Sequence, residues 1–255
     1  MPLTTEEWHR RFKLQAQWTK PTRDYLFKHT DCSSTSFILD VGCGTGVITG
    51  ELASTKTYQV IGIDLNLEFI RYAITINSVP QMNVADGHQL PFKNNSFDCT
   101  FCHYLLMWVS NPLIIIQEMK RVTSPGGKVF ALAEPDYGGR IDYPEPLSIL
   151  KEWQTISLKN QGANPYMGRK IKALFNQAGL VDVEVGVIGA QWKGDIEQDE
   201  IRSEWEIIHS DLLALNNKSE VEKTADEIQK IDLAAWALGE RILYVPTFFA
   251  WGKVR

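Results

Sequence analysis

The stretch Leu39-Asp-Val-Gly-Cys-Gly-Thr-Gly-Val47 constrains the chain more than any other feature. Glycines stand at 42, 44 and 46, directly after the short apolar run Phe37 to Val41 and directly before Val47 to Ala53, which suits a helix. Glycine permits a tight turn and lets a ligand approach bare backbone. The first N–H groups of a helix also lack partners inside it. In an open parallel sheet such a turn lies at the carboxyl edge of the strands, where ligands bind. The spacing is GxGxG. A dinucleotide fingerprint, GxGxxG, would need glycine at 47, where Val47 stands, and no GKS or GKT follows to make a Walker loop.

The rest of the first half alternates between short apolar runs and helical spacing. Tyr58 to Ile63, Met82 to Ala85, Phe97 to His103 and Lys128 to Ala133 read as strands; Glu68 to Ile76 and Leu113 to Val122 read as helices, the second stopped by Ser124-Pro-Gly-Gly127. This alternation predicts a parallel sheet with helices on both faces. Residues 5 to 30 read as a helix interrupted at Pro21, and residues 135 to 146 as a long loop. Later come helices over 147–159, 169–178, 197–215 and 218–243, a strand over 182–188 and a last strand over 247–252. The expected organisation is one domain over 1–255. It would carry an N-terminal helical lid over 1–30 and inserted cap segments over 135–165 and 193–244.

Two carboxylates end the next strands. Asp64 closes Val60-Ile-Gly-Ile-Asp64, and Asp86 closes the third strand in Ala85-Asp-Gly-His88. The first is placed to accept the hydroxyls of a ribose, and the second to accept from an exocyclic amine such as that of adenine. A strand-end aspartate often serves only as a helix cap or turn residue. Here a glycine turn, a ribose acceptor and an amine acceptor follow in order along one sheet edge.

Asp40-Val-Gly-Cys-Gly-Thr-Gly46, Asp64, Ala85-Asp-Gly87 with Leu90-Pro-Phe92, Ser96-Phe-Asp98 and Ser124-Pro-Gly-Gly127 together resemble the successive motifs of class I S-adenosylmethionine-dependent methyltransferases. The similarity is to the branch that includes the quinone-biosynthesis enzymes. It covers roughly residues 37 to 133 specifically and the strands to 252 loosely. It implies a Rossmann-like, seven-stranded, mostly parallel α/β sheet whose last strand is antiparallel. The cofactor would be S-adenosyl-L-methionine, with S-adenosyl-L-homocysteine as product. By the same resemblance, Asp40, Gly42, Cys43, Gly44 and Gly46 lie by the methionine part and Asp64 holds the ribose. Leu65 packs on adenine, Asp86 and Gly87 meet its edge, and Cys102 and His103 sit near the sulfonium and the acceptor.

Methyl transfer from a sulfonium mainly requires alignment of nucleophile, carbon and sulfur, with a base nearby where the acceptor is acidic. His103 is the candidate base, because imidazole titrates near neutrality. The segment Glu134-Pro-Asp-Tyr-Gly-Gly-Arg-Ile-Asp-Tyr143 supplies further candidates: Asp136 and Tyr143 for catalysis, Tyr137 and Arg140 for binding, with Arg140 suited to a substrate carboxylate. Trp18 in the N-terminal helix is a candidate acceptor contact, beside Gln15, Thr19 and Arg23. Trp153, Trp192, Trp205 and Trp236 fit packing as well as they fit an apolar pocket. His88 reads as a surface turn residue. No His/Asp cluster at ligand spacing appears, so no metal is expected.

The net charge of −5 gives no general attraction to nucleic acid or anionic lipid. The amino-methylating pattern of Asn or Asp followed by Pro-Pro-Tyr is absent at Phe101-Cys-His-Tyr104, which weighs against nucleobase amines. The expected acceptor is therefore a small molecule. The alternatives are a protein or RNA methyltransferase, or a non-catalytic adenosyl-binding partner subunit. Cys32, Cys43, Cys99 and Cys102 do not form a secreted disulfide pattern in a chain this long. Cys99 and Cys102 lie three apart on a strand and face opposite sides. No apolar run is long enough to span a bilayer. The expectation is a cytoplasmic monomer or homodimer.

Overall fold

The computed structural model describes residues 3–30, 36–55, 58–76, 81–189, 198–212 and 218–255. The chain divides into two compact units. The larger comprises Thr4–Glu134, Met167–Ile188 and Thr247–Arg255; the smaller is built mainly from Pro135–Tyr166 and Gly189–Pro246. Cys32 and Trp192 lie outside the described residues.

The larger unit opens with α1 (Thr5–His29). A capping box starts it: Thr4 Oγ1 accepts from the Glu7 N–H, and Glu7 Oε2 accepts from the Thr4 N–H at 2.6 Å. The helix runs through Pro21, contrary to the interruption expected there. A proline inside a helix costs about 3 kcal/mol, and anchors on both sides of it offset that cost. Ala16, Leu26 and Phe27 are buried in the main core, and Arg23 Nη2 pairs with Glu51 Oε2 at 2.6 Å.

Then follow β1 (Phe37–Val41), α2 (Val47–Ser54), β2 (Gln59–Asp64), α3 (Leu67–Ile76), β3 (Gln81–Val84), β4 (Phe97–Cys102), α4 (Pro112–Val122) and β5 (Thr123–Pro135). After the smaller unit's first segment come α6 (Ile171–Gln177) and β7 (Val181–Ile188), and β9 (Thr247–Lys253) completes the sheet. The sheet has seven strands in the order β3-β2-β1-β4-β5-β9-β7. β1 pairs in parallel with both β2 and β4, β2 with β3, and β4 with β5, whereas β9 runs antiparallel to β7. The fold expected from the motifs is the fold observed. The order reverses between β1 and β4, so the switch point where such sheets bind ligands lies at the tips of these two strands. Central strand residues such as Leu39, Phe101 and Phe130 are fully buried, as a sheet covered on both faces requires.

The smaller unit contains β6 (Ile141–Tyr143), α5 (Ile149–Asn160), α7 (Gln198–Leu212), α8 (Lys218–Ala237) and β8 (Ile242–Tyr244). Two sequence expectations are corrected here. Residues 135 to 146 are not only loop, because β6 pairs antiparallel with β8, Ile141 opposite Tyr244 and Tyr143 opposite Ile242. The last long helix stops at Ala237 rather than 243, where Gly239 adopts a left-handed φ of 70°. Leu147, Leu150, Trp153, Trp205, Ile208 and Leu212 form this unit's core, so Trp153 and Trp205 serve packing.

Candidate active site

The glycine turn is held by the neighbouring strand. The Gly42 and Cys43 N–H groups both donate to Ile63 O, at 2.8 and 2.9 Å. Gly42, Gly44 and Gly46 all adopt left-handed conformations, with φ of 77°, 56° and 73°. Other residues are strained there. A Cβ at Gly42 would lie 2.7 Å from Leu105 Cδ1, and one at Gly44 2.9 Å from Phe12 Cε2. Gly46 is the N-cap of α2 and brings no side-chain cap to it. Cys43 Sγ packs against Gly62 of β2, where a Cβ would meet it at 2.9 Å. Burial holds this thiol well above its ordinary pKa, so it is not a thiolate.

Asp40 is buried in β1 and accepts from Thr49 Oγ1 at 2.6 Å. Burial pushes its pKa up to about 7, with the nearby Asp64 adding to the rise and the Thr49 hydrogen bond opposing it. Asp64 closes β2. Its Oδ2 accepts from the Gly44 N–H at 2.8 Å and its Oδ1 from the Asn66 N–H at 2.8 Å. Burial raises its pKa, against the hydrogen bonds from Asn66, Gly44 and Leu65. Leu65, next along, exposes 70% of its surface. Beyond β3, Asp86 Oδ1 accepts from both the backbone N–H and Nδ1 of His88, each at 2.8 Å. Those bonds hold the Asp86 pKa low, the backbone one contributing most. The Nε2 of His88 is buried without a hydrogen-bond partner among the described residues. A Cβ at Gly87 would fall 2.9 Å from Ile115 Cδ1. His88 lies in a turn, as its sequence suggests, and it also orients Asp86.

At the tip of β4, Cys102 is a buried free thiol with a pKa well above the ordinary value, chiefly through burial. Cys99 is disulfide-bonded, a state that the cytoplasmic expectation does not predict. His103 Nε2 lies 2.9 Å from Thr19 Oγ1 of α1. Burial, with the Arg23 charge adding to it, lowers the ring's pKa to about 3, so His103 is neutral at physiological pH. Glu134, at the end of β5, accepts from the N–H groups of Leu105 at 3.0 Å, Leu106 at 2.8 Å and Met107 at 3.2 Å. Glu134 therefore fixes the loop that brings Leu105 against Gly42. Nothing in its spacing marked that role. α1 touches the glycine turn directly: His9 Nδ1 lies 2.8 Å from Thr45 Oγ1, and Phe12 meets Phe69 of α3 edge-on.

The "Methyltransferase domain" family profile matches residues 39–131. A demethylmenaquinone methyltransferase of Lysinibacillus sphaericus is 30% identical over 190 residues, 68% of this chain and 80% of that protein. The chain belongs to the class I S-adenosylmethionine-dependent methyltransferases. A second relative, the demethylmenaquinone methyltransferase of Corynebacterium urealyticum, is 41% identical over 117 residues, 46% of this chain and 47% of that protein. With this and other curated relatives the chain aligns over about half of their length. Among solved structures, the phosphoethanolamine N-methyltransferase 2 of Haemonchus contortus in complex with S-adenosyl-L-methionine has a TM-score of 0.59 at 21% identity. It covers 92% of this chain and 53% of that one, and shares the fold.

The remaining sequence candidates have distinct surroundings. Trp18 is partly exposed on α1, with the Arg11 guanidinium 5.0 Å from its ring centre. Asp136, Tyr137, Arg140 and Tyr143 belong to the smaller unit. Asp136 is buried and its N–H donates to Pro246 O; the Tyr137 N–H donates to Pro165 O; Tyr143 is exposed. The expectation that Arg140 receives a substrate carboxylate is corrected. Its guanidinium is fully buried and already holds Asp142 through two bonds of 2.7 and 2.9 Å, with Gln154 and Glu204 beside it. Burial disfavours its charge, but the Asp142 hydrogen bonds and charge outweigh that and raise its pKa. Asp142 also pairs with Arg241 at 2.7 Å, and Arg241 with Asp232 at 2.5 Å. Arg140 belongs to a buried ion network, from Glu204 through Asp142 and Arg241 to Asp232, that ties α7, β6 and α8 to the start of β8. No cluster of three metal-ligating side chains occurs among the described residues.

Proposed function

We propose that this chain transfers a methyl group from S-adenosylmethionine to a small-molecule acceptor. The observation that carries the reading is the run of three strand tips: Gly44 on left-handed backbone, Asp64 bonded to it, and Asp86 beyond the next strand. Their chemistry fits an adenosyl sulfonium. Gly44 has no side chain where a ligand must approach backbone. The Asp64 carboxylate is fixed by two backbone donors and so is preorganised for ribose hydroxyls. Asp86 uses Oδ1 on His88, which leaves Oδ2 for the 6-amino group of adenine. Asp40, Gly42, Cys43 and Gly46 line the turn that would face the methionine part, Leu65 and Gly87 would flank adenine, and Cys102 would stand near the sulfonium. The buried Asp40, poised near neutrality, favours a cationic ligand, because a nearby positive charge draws a carboxyl back to its ionised form. When bound, S-adenosylmethionine supplies an electrophilic methyl carbon on a good leaving group.

The relatives named above bear the names of demethylmenaquinone methyltransferases, and the structural neighbour that of a phosphoethanolamine methyltransferase. All these acceptors are small molecules, which supports the same class here. Isothermal calorimetry with S-adenosylhomocysteine tests the adenosyl site, with micromolar binding expected. Transfer of label from methyl-labelled S-adenosylmethionine tests the acceptor class. Label in a low-molecular-weight metabolite fraction supports the proposal. Label only in protein or RNA fractions, or no binding of the product, overturns it.

A further inference from the structure

We infer that Thr19 and Arg23 of α1 are positioning residues that fix a neutral His103 with its proton on Nε2 and its lone pair on Nδ1. The argument is a count of protons around one oxygen. Thr19 Oγ1 has one hydrogen and two lone pairs. Arg23 can only donate, and its Nη1 donates to this oxygen at 2.8 Å, taking one lone pair. The hydroxyl hydrogen has a helix carbonyl in reach, Gln15 O at 2.9 Å, the usual back-bond of a threonine inside a helix. The second lone pair then faces His103 Nε2 at 2.9 Å, and only an N–H there completes the set.

Arg23 is itself locked. It is buried, with Nη1 also donating to Ala16 O at 2.5 Å and Nη2 to Glu51 Oε2 at 2.6 Å. A second proton on His103 would put an imidazolium beside this fixed guanidinium. Of the other groups around the ring, Tyr104 presents its own ring edge-on at 4.7 Å between centres, Cys102 is an un-ionised thiol, and Glu51 is taken up by Arg23 and Lys20. Glu51 offsets part of the Arg23 charge, but among the described residues no carboxylate pairs with His103 itself. Nδ1 makes no hydrogen bond among the described residues and is the ring's acceptor.

This arrangement changes what His103 does. A catalytic base is commonly backed by a carboxylate that steadies its charged form. His103 is backed by a hydroxyl and a cation, which suppress that form. The ring therefore orients the acceptor by accepting a hydrogen bond at Nδ1, and the acceptor class narrows to molecules with an O–H or N–H beside the methylated atom. This role rests on the proposed methyltransferase reading, in which the acceptor meets the tip of β4.

The test uses the full chain labelled with 15N-histidine, with His103 identified by the signal lost in His103→Gln. Long-range 1H–15N correlation spectra recorded from pH 5 to 8 report the tautomer directly. Wild type should show a protonated Nε2, an unprotonated Nδ1 and no titration in that range. Thr19→Val should lower the tautomer ratio roughly five- to tenfold, as expected for loss of one hydrogen bond, and Thr19→Ser should retain it. Arg23→Gln should raise the ring's pKa while burial still holds it below the ordinary value, seen as an earlier onset of titration when the series is extended below pH 5. A wild-type proton on Nδ1 overturns the inference even if no variant folds, and so does a folded Thr19→Val with the wild-type spectrum. Calorimetry with S-adenosylhomocysteine on the same samples judges the adenosyl site separately, so failure there would strike the methyltransferase reading and not the ring assignment.

Discussion

The Gly44 N–H donates to Oδ2 of Asp64 across 2.8 Å, tying the glycine turn to the tip of the next strand. With Asn66 on Oδ1, both oxygens of this carboxylate are aimed by backbone before any ligand arrives. Asp64→Ala removes the proposed ribose acceptor and the brace on the turn together. Hydrogen bonds to a charged group are worth about 1.5–3 kcal/mol each. Two of them to a ribose correspond to a loss of roughly 100-fold or more in S-adenosylhomocysteine affinity by calorimetry. Asp64→Asn should fall between the two, since its amide nitrogen must face one of the two N–H donors. Unchanged affinity in Asp64→Ala would remove this residue from the site.

Gly44→Ala should destabilise the chain for two separable reasons. Its φ of 56° costs a side chain about 1–2 kcal/mol, and the new methyl would press on Phe12 Cε2 at 2.9 Å. A double-mutant cycle with Phe12→Ala isolates the second part. The double variant should be more stable than the sum of the single changes requires, while still weaker than Phe12→Ala alone. Purely additive denaturation free energies would mean that Phe12 does not press on this position.

The alternation of strands and helices, the glycine spacing and the two strand-end aspartates were legible because each is a local pattern: three residues of one type at fixed steps, or an acid at the end of an apolar run. The sheet needs little else, and β1 to β5 lie close to where those patterns put them. Glu134, Thr19 and Arg23 owe their roles to partners far along the chain, Glu134 at Leu105 and Thr19 at His103. No spacing rule joins such pairs. Arg140 misled for a related reason. An arginine in a polar loop reads as free for a ligand, and only the return of the chain at Arg241 shows that Asp142 sits between two guanidinium groups. Pro21 failed as a breaker because the packing on either side of it is tertiary.

His88 gives a prediction specific to the proposed adenine edge. It donates to Asp86 Oδ1 from both its backbone and its ring at 2.8 Å. Removing the ring in His88→Ala leaves the backbone bond but frees the carboxylate to turn. Wild type should prefer S-adenosylhomocysteine over the analogue with oxygen in place of the 6-amino group. That preference should shrink several-fold in His88→Ala, while affinity for the analogue changes little. Equal weakening for both ligands would point to general damage instead of a role in reading the amine.

Asp142 lies between Arg140 and Arg241 at side-chain exposures of zero to 1%. Asp142→Asn would leave two buried cations without their shared counter-charge. Breaking a buried pair from one side costs about 3–5 kcal/mol. The loss should fall on the smaller unit, read as faster amide hydrogen exchange in β6, β8 and α8, with the β1–β5 amides protected as before. Uniform loss of protection throughout the chain would show that the units do not unfold separately.

Two buried carboxyls should make stability depend on pH between 6.5 and 8. Burial pushes Glu134 up to about 8 from the ordinary 4.5 and Asp40 up to about 7 from the ordinary 3.8. Both are raised above their unfolded values, so the folded state holds the extra protons. The stability they contribute is complete below about pH 4 and is lost as pH rises through 7 and 8. His103 acts in the opposite sense. Its pKa falls from 6.5 to about 3, so its contribution is present above 6.5 and lost as pH drops towards 3. Above pH 6.5 only the carboxyls of these three groups still change charge, and the urea midpoint should decline from pH 6.5 to 8.5. Glu134→Gln should flatten that decline, whatever it does to stability overall, because an amide does not titrate. If the variant and wild type lose stability along parallel lines over this interval, Glu134 is already ionised at neutrality, and its three backbone donors outweigh its burial.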